Sequence, residues 1–276
     1  PSLSTDRSVR EMQPATMNDI FEGDQILVVG QYTTSAPLKM QLQGKDGGKD
    51  ASFNLNFDVA QAASARNGYI ARLWATRKIG FLLGQIREQT AGGVNTTDPK
   101  LKELVDEVVR LSTRYGVMTE YTSFLATEPG VDFASGAGRQ AIRDHSMAEF
   151  SSRSSKRSGM SSVNQEMNAE SLQAAKAPQK AAAGGFINKD MKRETIGGVQ
   201  NIAEHTLYQR KAPEGQKSQM RWVDARLLTQ EAETPDQVVA LGTPEYDIVA
   251  QQLIDLGQAS YLAMPMLLVD AAGDLV

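Results

Sequence analysis

His145 and His205 are the two residues of this chain whose side chains ordinarily titrate near neutrality, which makes them first candidates for acid-base or metal chemistry. Neither has a second ligand at a usable spacing. There is no His-Glu-x-x-His, and a chain without cysteine offers no thiolate. Asp144 precedes His145, but adjacency in sequence does not aim a carboxylate at its neighbour's ring. The spacing therefore predicts both histidines as surface or capping residues. Paired carboxylates stand at Asp106 and Glu107 and at Glu231 and Glu233. Side-by-side acids on an exposed helix or loop seldom reach the perturbed environment that acid-base catalysis needs. No Gly-x-Ser-x-Gly elbow, Walker loop or Gly-x-Gly-x-x-Gly follows a strand, and Gly136-Ala137-Gly138 lies in a low-complexity stretch. The expectation is a non-catalytic protein: no catalytic residue, cofactor, metal ligand or small-molecule substrate.

The elements that would position any site come next. The 276 residues are 41% hydrophobic and 22% charged, an ordinary globular composition with room for one large or two small domains. No apolar run approaches the roughly 18 residues that span a bilayer. The first residues, PSLSTDRSVREM, carry no export segment, and a start at Pro1 reads as a processed product or an excised piece. The net charge of -4 is uneven: Arg139 to Glu194 holds ten bases against six acids, and Leu227 to Val276 holds eight acids and no base.

Residues 67 to 88, NGYIARLWATRKIGFLLGQIRE, organise the chain. At 100° per residue Ile70, Leu73, Trp74 and Phe81 point one way and Ala75, Ile79, Leu82, Leu83 and Ile86 the other, which predicts a helix buried on both sides. Gly80 and Gly84, four apart, invite another backbone close. Arg77 projects from the apolar side and needs its charge paired or led out to water, with Glu103 or Asp106 as candidate partners. Before this helix, DQILVVGQY, PLKMQLQG and ASFNLNFDV are strands. The last two alternate apolar with polar residues and are joined by a turn at Asp46-Gly47-Gly48, while the first is apolar enough to be covered on both faces. Ser8 to Met12 supplies an edge. After it comes a second helix with Asp98 as N-cap, Pro99 at its first position and Gly116 past its end, then a strand over Tyr121 to Glu128.

From Gly130 to Glu194 the composition turns to Ser, Ala, Gly, Gln and Lys, which predicts a tether with transient helix around Arg139 to Phe150 and Asn164 to Ala177. Its basic core, SSRSSKRS, lacks the aromatics that nucleic-acid binding interleaves. Beyond it, His205 to Arg210 and Gln219 to Leu228 form a hairpin. Thr243-Pro244-Glu245 caps a helix with Tyr246, Val249, Leu253 and Leu256 on one face, and MLLVDAAGDLV reads as a last hairpin. The expected fold class is α+β: an antiparallel sheet or half-sandwich with two helices (residues 1–130), a flexible linker (131–195) and a small α+β domain (196–276). Trp74, Phe81, Leu104, Val108 and Trp222 are the expected core anchors.

Three runs carry a resemblance: IFEGDQILVVGQY (Ile20 to Tyr32), IARLWATRKIGFLL (Ile70 to Leu83) and LVDEVVRLSTRYGVMTEYTSFLA (Leu104 to Ala126). In this order they resemble the region that follows the von Willebrand factor A domain in inter-alpha-trypsin inhibitor heavy-chain-like proteins, in particular bacterial members with a VIT domain. The helix at Tyr246 and the final hairpin are similar to the C-terminal part of some of these proteins. Glu120 stands where that pattern has proline. The VIT and von Willebrand domains are not in this sequence, and Asp6-Arg7-Ser8-Val9-Arg10 lacks the second serine of an Asp-x-Ser-x-Ser metal motif, so no metal-binding residue carries over. The resemblance implies a module that supports an adhesion protein of this type, with a protein partner and a cell-envelope or extracellular setting. The alternatives are polyanion or nucleic-acid binding through the basic linker, and an enzyme whose site is built from groups read as structural.

Overall fold

The computed structural model describes residues 1–6, 9–34, 36–59, 67, 69–128, 130–156, 158–177, 185–188, 190–202, 205–211, 220–229, 235, 237–264 and 267–268. The chain is α+β. Its first part holds β1 (Ser2–Thr5), β2 (Val9–Gln13), β3 (Val29–Tyr32), β4 (Leu38–Asp46) and β5 (Lys49–Phe57). Gly47 and Gly48 both take positive φ, 55° and 84°, and close β4 on β5 as a two-residue turn whose twist suits its strands. β1 adds antiparallel to β4, giving the order β1-β4-β5, while β2 and β3 pair as a separate ribbon. The apolar run before Tyr32 is not the doubly covered strand its composition suggests. It is a strand only over Val29–Tyr32, and Ile26 and Leu27 are exposed, because the Leu27 carbonyl is turned inward to a buried arginine.

That arginine is Arg77, on α1 (Tyr69–Gln89). It donates from Nε to the Ala175 carbonyl at 2.8 Å and from one terminal nitrogen to the carbonyls of Leu27 at 2.7 Å and Gln13 at 3.4 Å. Its partners are thus backbone carbonyls of three separate segments. The expected carboxylates serve elsewhere or not at all: Asp106 pairs with Arg143 at 3.1 Å. Carbonyls suit the fork of a guanidinium, and burial lowers the pKa of Arg77 without a counter-charge. Trp74 is buried as expected, and its indole N–H donates to the carbonyl of Glu11 at 2.9 Å. Glu11 sits at a register shift in the β2–β3 ribbon with φ of 56°, a conformation rare outside glycine. α2 (Pro99–Tyr115) starts on the Asp98 cap and ends on left-handed Gly116 as predicted, burying Leu101, Val105, Val108 and Leu111. Of the five expected anchors, Trp74 and Val108 are buried, whereas Phe81, Leu104 and Trp222 are half-buried; Ile70, read as core, is exposed.

The expected strand over Tyr121 to Glu128 is instead a turn followed by the short α3 (Phe124–Thr127), and the expected linker is two helices, α4 (Gly136–Ser154) and α5 (Met160–Gln173). Phe150, Ala169 and Leu172 enter the same core cluster as Trp74 and Val108. Small residues that suggest a tether are also what a close helix contact requires. A Cβ on Gly80 would lie 2.7 Å from the Gln173 nitrogen and 2.8 Å from the Ala169 carbonyl oxygen, so α5 rests on the bare backbone of α1.

The C-terminal part holds β6 (Gly185–Ile187) and β7 (Arg193–Thr195), a hairpin tied to α5 by Asn168, whose side chain donates to the Ile187 carbonyl at 3.0 Å and accepts from the Ile187 N–H at 2.8 Å. β8 (Val199–Ile202), β9 (His205–Lys211) and β10 (Met220–Asp224) form an antiparallel sheet, with β11 (Leu267–Leu268) parallel to β10. The rest of the expected last hairpin lies outside the described residues. One face of this sheet meets the helices: the buried Tyr208 hydroxyl donates to the carbonyls of Thr113 at 2.8 Å and Ser112 at 3.1 Å. The other face is covered by α6 (Pro244–Asp255) and a 3₁₀ turn, Ala259–Ala263. A second core cluster joins Met118 and Phe124 to Phe133, Ile142, Tyr208 and Val223. It crosses both expected boundaries, so divisions at 130 and 195 do not separate independent cores.

The contact at Gly80 yields a test that opposes two propensity effects. Gly84→Ala meets only the flexible Gln173 amide, at 3.4 Å, and should leave stability unchanged or raise it by up to about 1 kcal/mol. Gly80→Ala should lower it by about 1–3 kcal/mol, since backbone must move. Urea unfolding of both variants checks this, and equal effects would mean that α5 does not lie on Gly80.

Candidate functional site

Strand alternation puts His205 and Leu207 of β9 on one face, and Asp224 of β10 pairs with Leu207, so His205 and Asp224 share that face. The 3₁₀ turn lays Tyr261 over them. The ring of Tyr261 lies against that of His205 with centroids 4.1 Å apart. Its hydroxyl donates to Asp224 and lies 2.6 Å from His205 Nδ1. The phenol has one proton, and with it on Asp224 the Nδ1 proton of His205 is donated to the phenol oxygen. Arg226 completes the group, donating to Tyr261 Oη at 2.8 Å and from Nε to Asp224 Oδ1 at 3.0 Å.

Electrostatically the group is a closed account. Burial by itself would raise the pKa of Asp224, but hydrogen bonds from Tyr261 and Arg226, with His205 Nδ1 3.4 Å from the carboxylate, outweigh it and hold the carboxyl far below its ordinary 3.8. The stabilisation this represents is present above that ordinary value and is lost as pH falls below it. Burial and the neighbouring Asp224 charge raise the Tyr261 phenol. Tyr261 and Asp224 are each 1% exposed and His205 4%. A tyrosine, a histidine and an aspartate could exchange protons with a substrate, but here they are sealed against one another. The arrangement is a polar lock that fastens α6 and its turn to the sheet. His205 is therefore buried and bonded, not the surface residue its spacing suggests. The alternation of β9 and β10 was the available signal, and Tyr261 had none. His145, by contrast, is exposed, beside the ring of Phe124. Asp106 and Glu107 are half-buried on α2 and paired with Arg143 and Arg110. Glu231 and Glu233 lie outside the described residues.

A second buried acid, Glu120, sits in the turn between α2 and α3, 4% exposed. Neither of its oxygens makes a hydrogen bond of ordinary geometry within the described residues. Burial pushes its carboxyl up to about 7, against the weak influence of its own amide, the Asn168 side chain and the more distant Arg153 and Arg87. Its neighbour Tyr121 stacks on Phe150, centroids 4.0 Å apart, and donates to Gln165 at 3.2 Å. Among the described residues no three of His, Cys, Asp and Glu come together to hold a metal ion, and no helix is long and apolar enough to cross a membrane.

The third feature is apolar. In the β1-β4-β5 sheet, Leu38 pairs with Phe57, Met40 with Leu55 and Leu42 with both Phe53 and Leu3, so these seven residues form one face. Alternation predicts this face to be buried, and on β5 it is not: Phe53, Leu55 and Phe57 are 59%, 40% and 48% exposed, while Leu3, Leu38, Met40 and Leu42 are half-buried. Among the described residues no helix makes an extensive contact with this sheet. The opposite face carries Lys39, Gln41, Gln43, Asn54 and Asn56, so β5 is exposed on both sides from Ser52 to Phe57.

Two tests follow from the buried acids. An acid whose folded pKa exceeds its unfolded one holds its proton more tightly when folded, so Glu120 makes the chain most stable below about 4.5 and progressively less so up to about pH 7. Glu120→Gln should abolish that decline and stabilise the chain at pH 8 by about 2–3 kcal/mol; a loss of stability there would show the carboxylate to be ionised and well solvated. Tyr261→Phe, read by urea unfolding at pH 7, should cost about 1–3 kcal/mol by leaving groups on Asp224 and His205 unpaired. A cost below about 0.5 kcal/mol, the scale of ordinary surface substitutions, would mean that the lock does not hold α6.

Compared with protein-family models, curated proteins and solved structures, the chain matches none, and its site stands on its own chemistry.

Proposed function

We propose that this chain is a non-catalytic protein-interaction module that seats a partner domain on the apolar face of its β1-β4-β5 sheet. The observation that carries this reading is the exposure of Phe53, Leu55 and Phe57 on β5, a regular strand paired along its whole length with β4. An apolar face of this kind on an ordered sheet marks a contact surface. Its size constrains the partner. The nine-residue β4 and β5, each about 30 Å long, and the four-residue β1, strands about 4.8 Å apart, give a face of at most roughly 400 Å². Covered on both sides, that is about 800 Å², within the range of contacts between domains of one polypeptide and below that of stable free complexes. The resemblance of Ile20 to Tyr32, Ile70 to Leu83 and Leu104 to Ala126 to the region after a von Willebrand factor A domain supports a domain of that type as the partner.

The buried state of the His205, Asp224 and Tyr261 group, each at most 4% exposed, speaks against catalysis there. Polyanion binding through residues 139 to 193 loses support from the ion pairs Arg143–Asp106 and Arg153–Glu149, which commit basic groups to the fold.

Titration with a purified von Willebrand factor A-type domain, followed by calorimetry, tests the proposal. Saturable binding is expected, weakened at least tenfold by Phe53→Ser with Phe57→Ser, while the melting temperature of the chain stays within a degree or two because both side chains are exposed. Binding undiminished by the two substitutions, or no binding at all, would overturn it.

A further inference from the structure

Among the described residues β5 pairs on one side only, with β4. Its free edge lacks the features by which natural edges avoid pairing: there is no proline, no charged side chain from Ala51 to Phe57 and no bulge in the β4–β5 register. The hydrogen-bonding phase follows from the turn. Asp46 and Lys49 close a two-residue loop as a bonded pair, so Phe53, Leu55 and Phe57 bond to β4. The N–H and C=O groups of Ser52, Asn54 and Asn56 then point out of the sheet, offering a second ladder.

The side chains along this edge read the same in both directions: Phe53-Asn54-Leu55-Asn56-Phe57. We propose that β5 pairs antiparallel with the β5 of a second copy of this chain, about a twofold axis through Leu55. An isologous contact needs a surface complementary to itself, and a palindromic strand supplies one. In this register Asn54 meets Asn56 of the second copy as a bonded pair, which the outward phase of both residues requires. Phe53 meets Phe57, and Leu55 meets its own counterpart, in the closer non-bonded positions where aromatic and aliphatic pairs contribute most. Asp58 falls opposite Ser52, so no like charges are opposed. The resulting six-stranded sheet keeps both apolar faces on one side, doubling that surface to about 800 Å², the area one partner contributes to a standard interface. This inference concerns the edge of the sheet and goes beyond the docking of its face.

The chain has no cysteine, so a single introduced one reports its neighbours. Leu55→Cys should form a covalent dimer under mild oxidation, because its twofold mate lies about 4.5–5.5 Å away at Cα, within disulfide reach. Phe57→Cys should not, since four residue steps at about 3.3 Å each separate it from its own copy. A mixture of Phe53→Cys and Phe57→Cys should crosslink to each other. Failure at Leu55→Cys, or equal crosslinking at Phe57→Cys, overturns the proposal. Asn54→Pro removes an outward N–H while sparing the bonds to β4 and the whole apolar face. Sedimentation should then show a dimer for the parent and a monomer for this variant with an unchanged far-ultraviolet spectrum. A dimer that survives Asn54→Pro would place association elsewhere, the apolar face included, and a monomer that still binds a von Willebrand factor A-type domain would leave the docking proposal intact.

Discussion

The bare backbone at Gly80 sets how near α5 can come to α1, and much of the helical core depends on that approach. With no Cβ in the way, Gln173 donates to the Gly80 carbonyl at 3.0 Å and Arg77 reaches the Ala175 carbonyl just beyond the end of α5. Arg77 then holds Leu27 and Gln13 as well, so the loop before β3 and the end of β2 are fixed to the same helix. From the same helix Asn168 bonds to β6. A side chain at position 80 would push on this whole series, because interiors are close-packed and pass displacement on.

Asp224 and Glu120 show how little burial alone decides about an acid. Both are almost wholly removed from water. Asp224 accepts from Tyr261, from the Arg226 side chain and from the Arg226 backbone, and is held ionised. Glu120 has only its own amide and the Asn168 side chain nearby as weak donors, and burial raises its pKa toward neutrality. The difference is hydrogen bonding to the charged form, which repays desolvation in one place and not in the other. One site is a fastening and the other a cost at neutral pH.

The molecule turns its polar chemistry inward and its apolar sheet outward. Tyr261, His205 and Asp224 are spent on holding α6 to the sheet, while Phe53, Leu55 and Phe57 are left in water at the other end of the chain. This arrangement supports the proposed reading of the sheet face as a contact surface.

Local signals determined a good deal from sequence alone. The β4–β5 turn, both ends of α2, the burial of Trp74 and the two-sided character of α1 were all legible, because each rests on residues within one or two turns of chain: two glycines at positive φ, a capping aspartate, a left-handed glycine, a helical period. Tertiary structure decided the rest. Residues 136 to 173 have a composition too poor in large apolar groups to announce a core, yet they form α4 and α5, since a helix of small residues is stabilised by the surface it meets and not by its own propensity. The partners of Arg77 are carbonyls from three segments, which no spacing could have paired. His205 gained its environment from Tyr261, 56 residues away, and the alternating face of β5 stayed in water because nothing among the described residues reached it. A strand's period shows which residues share a face, but whether that face is covered depends on the path of chain far away in sequence.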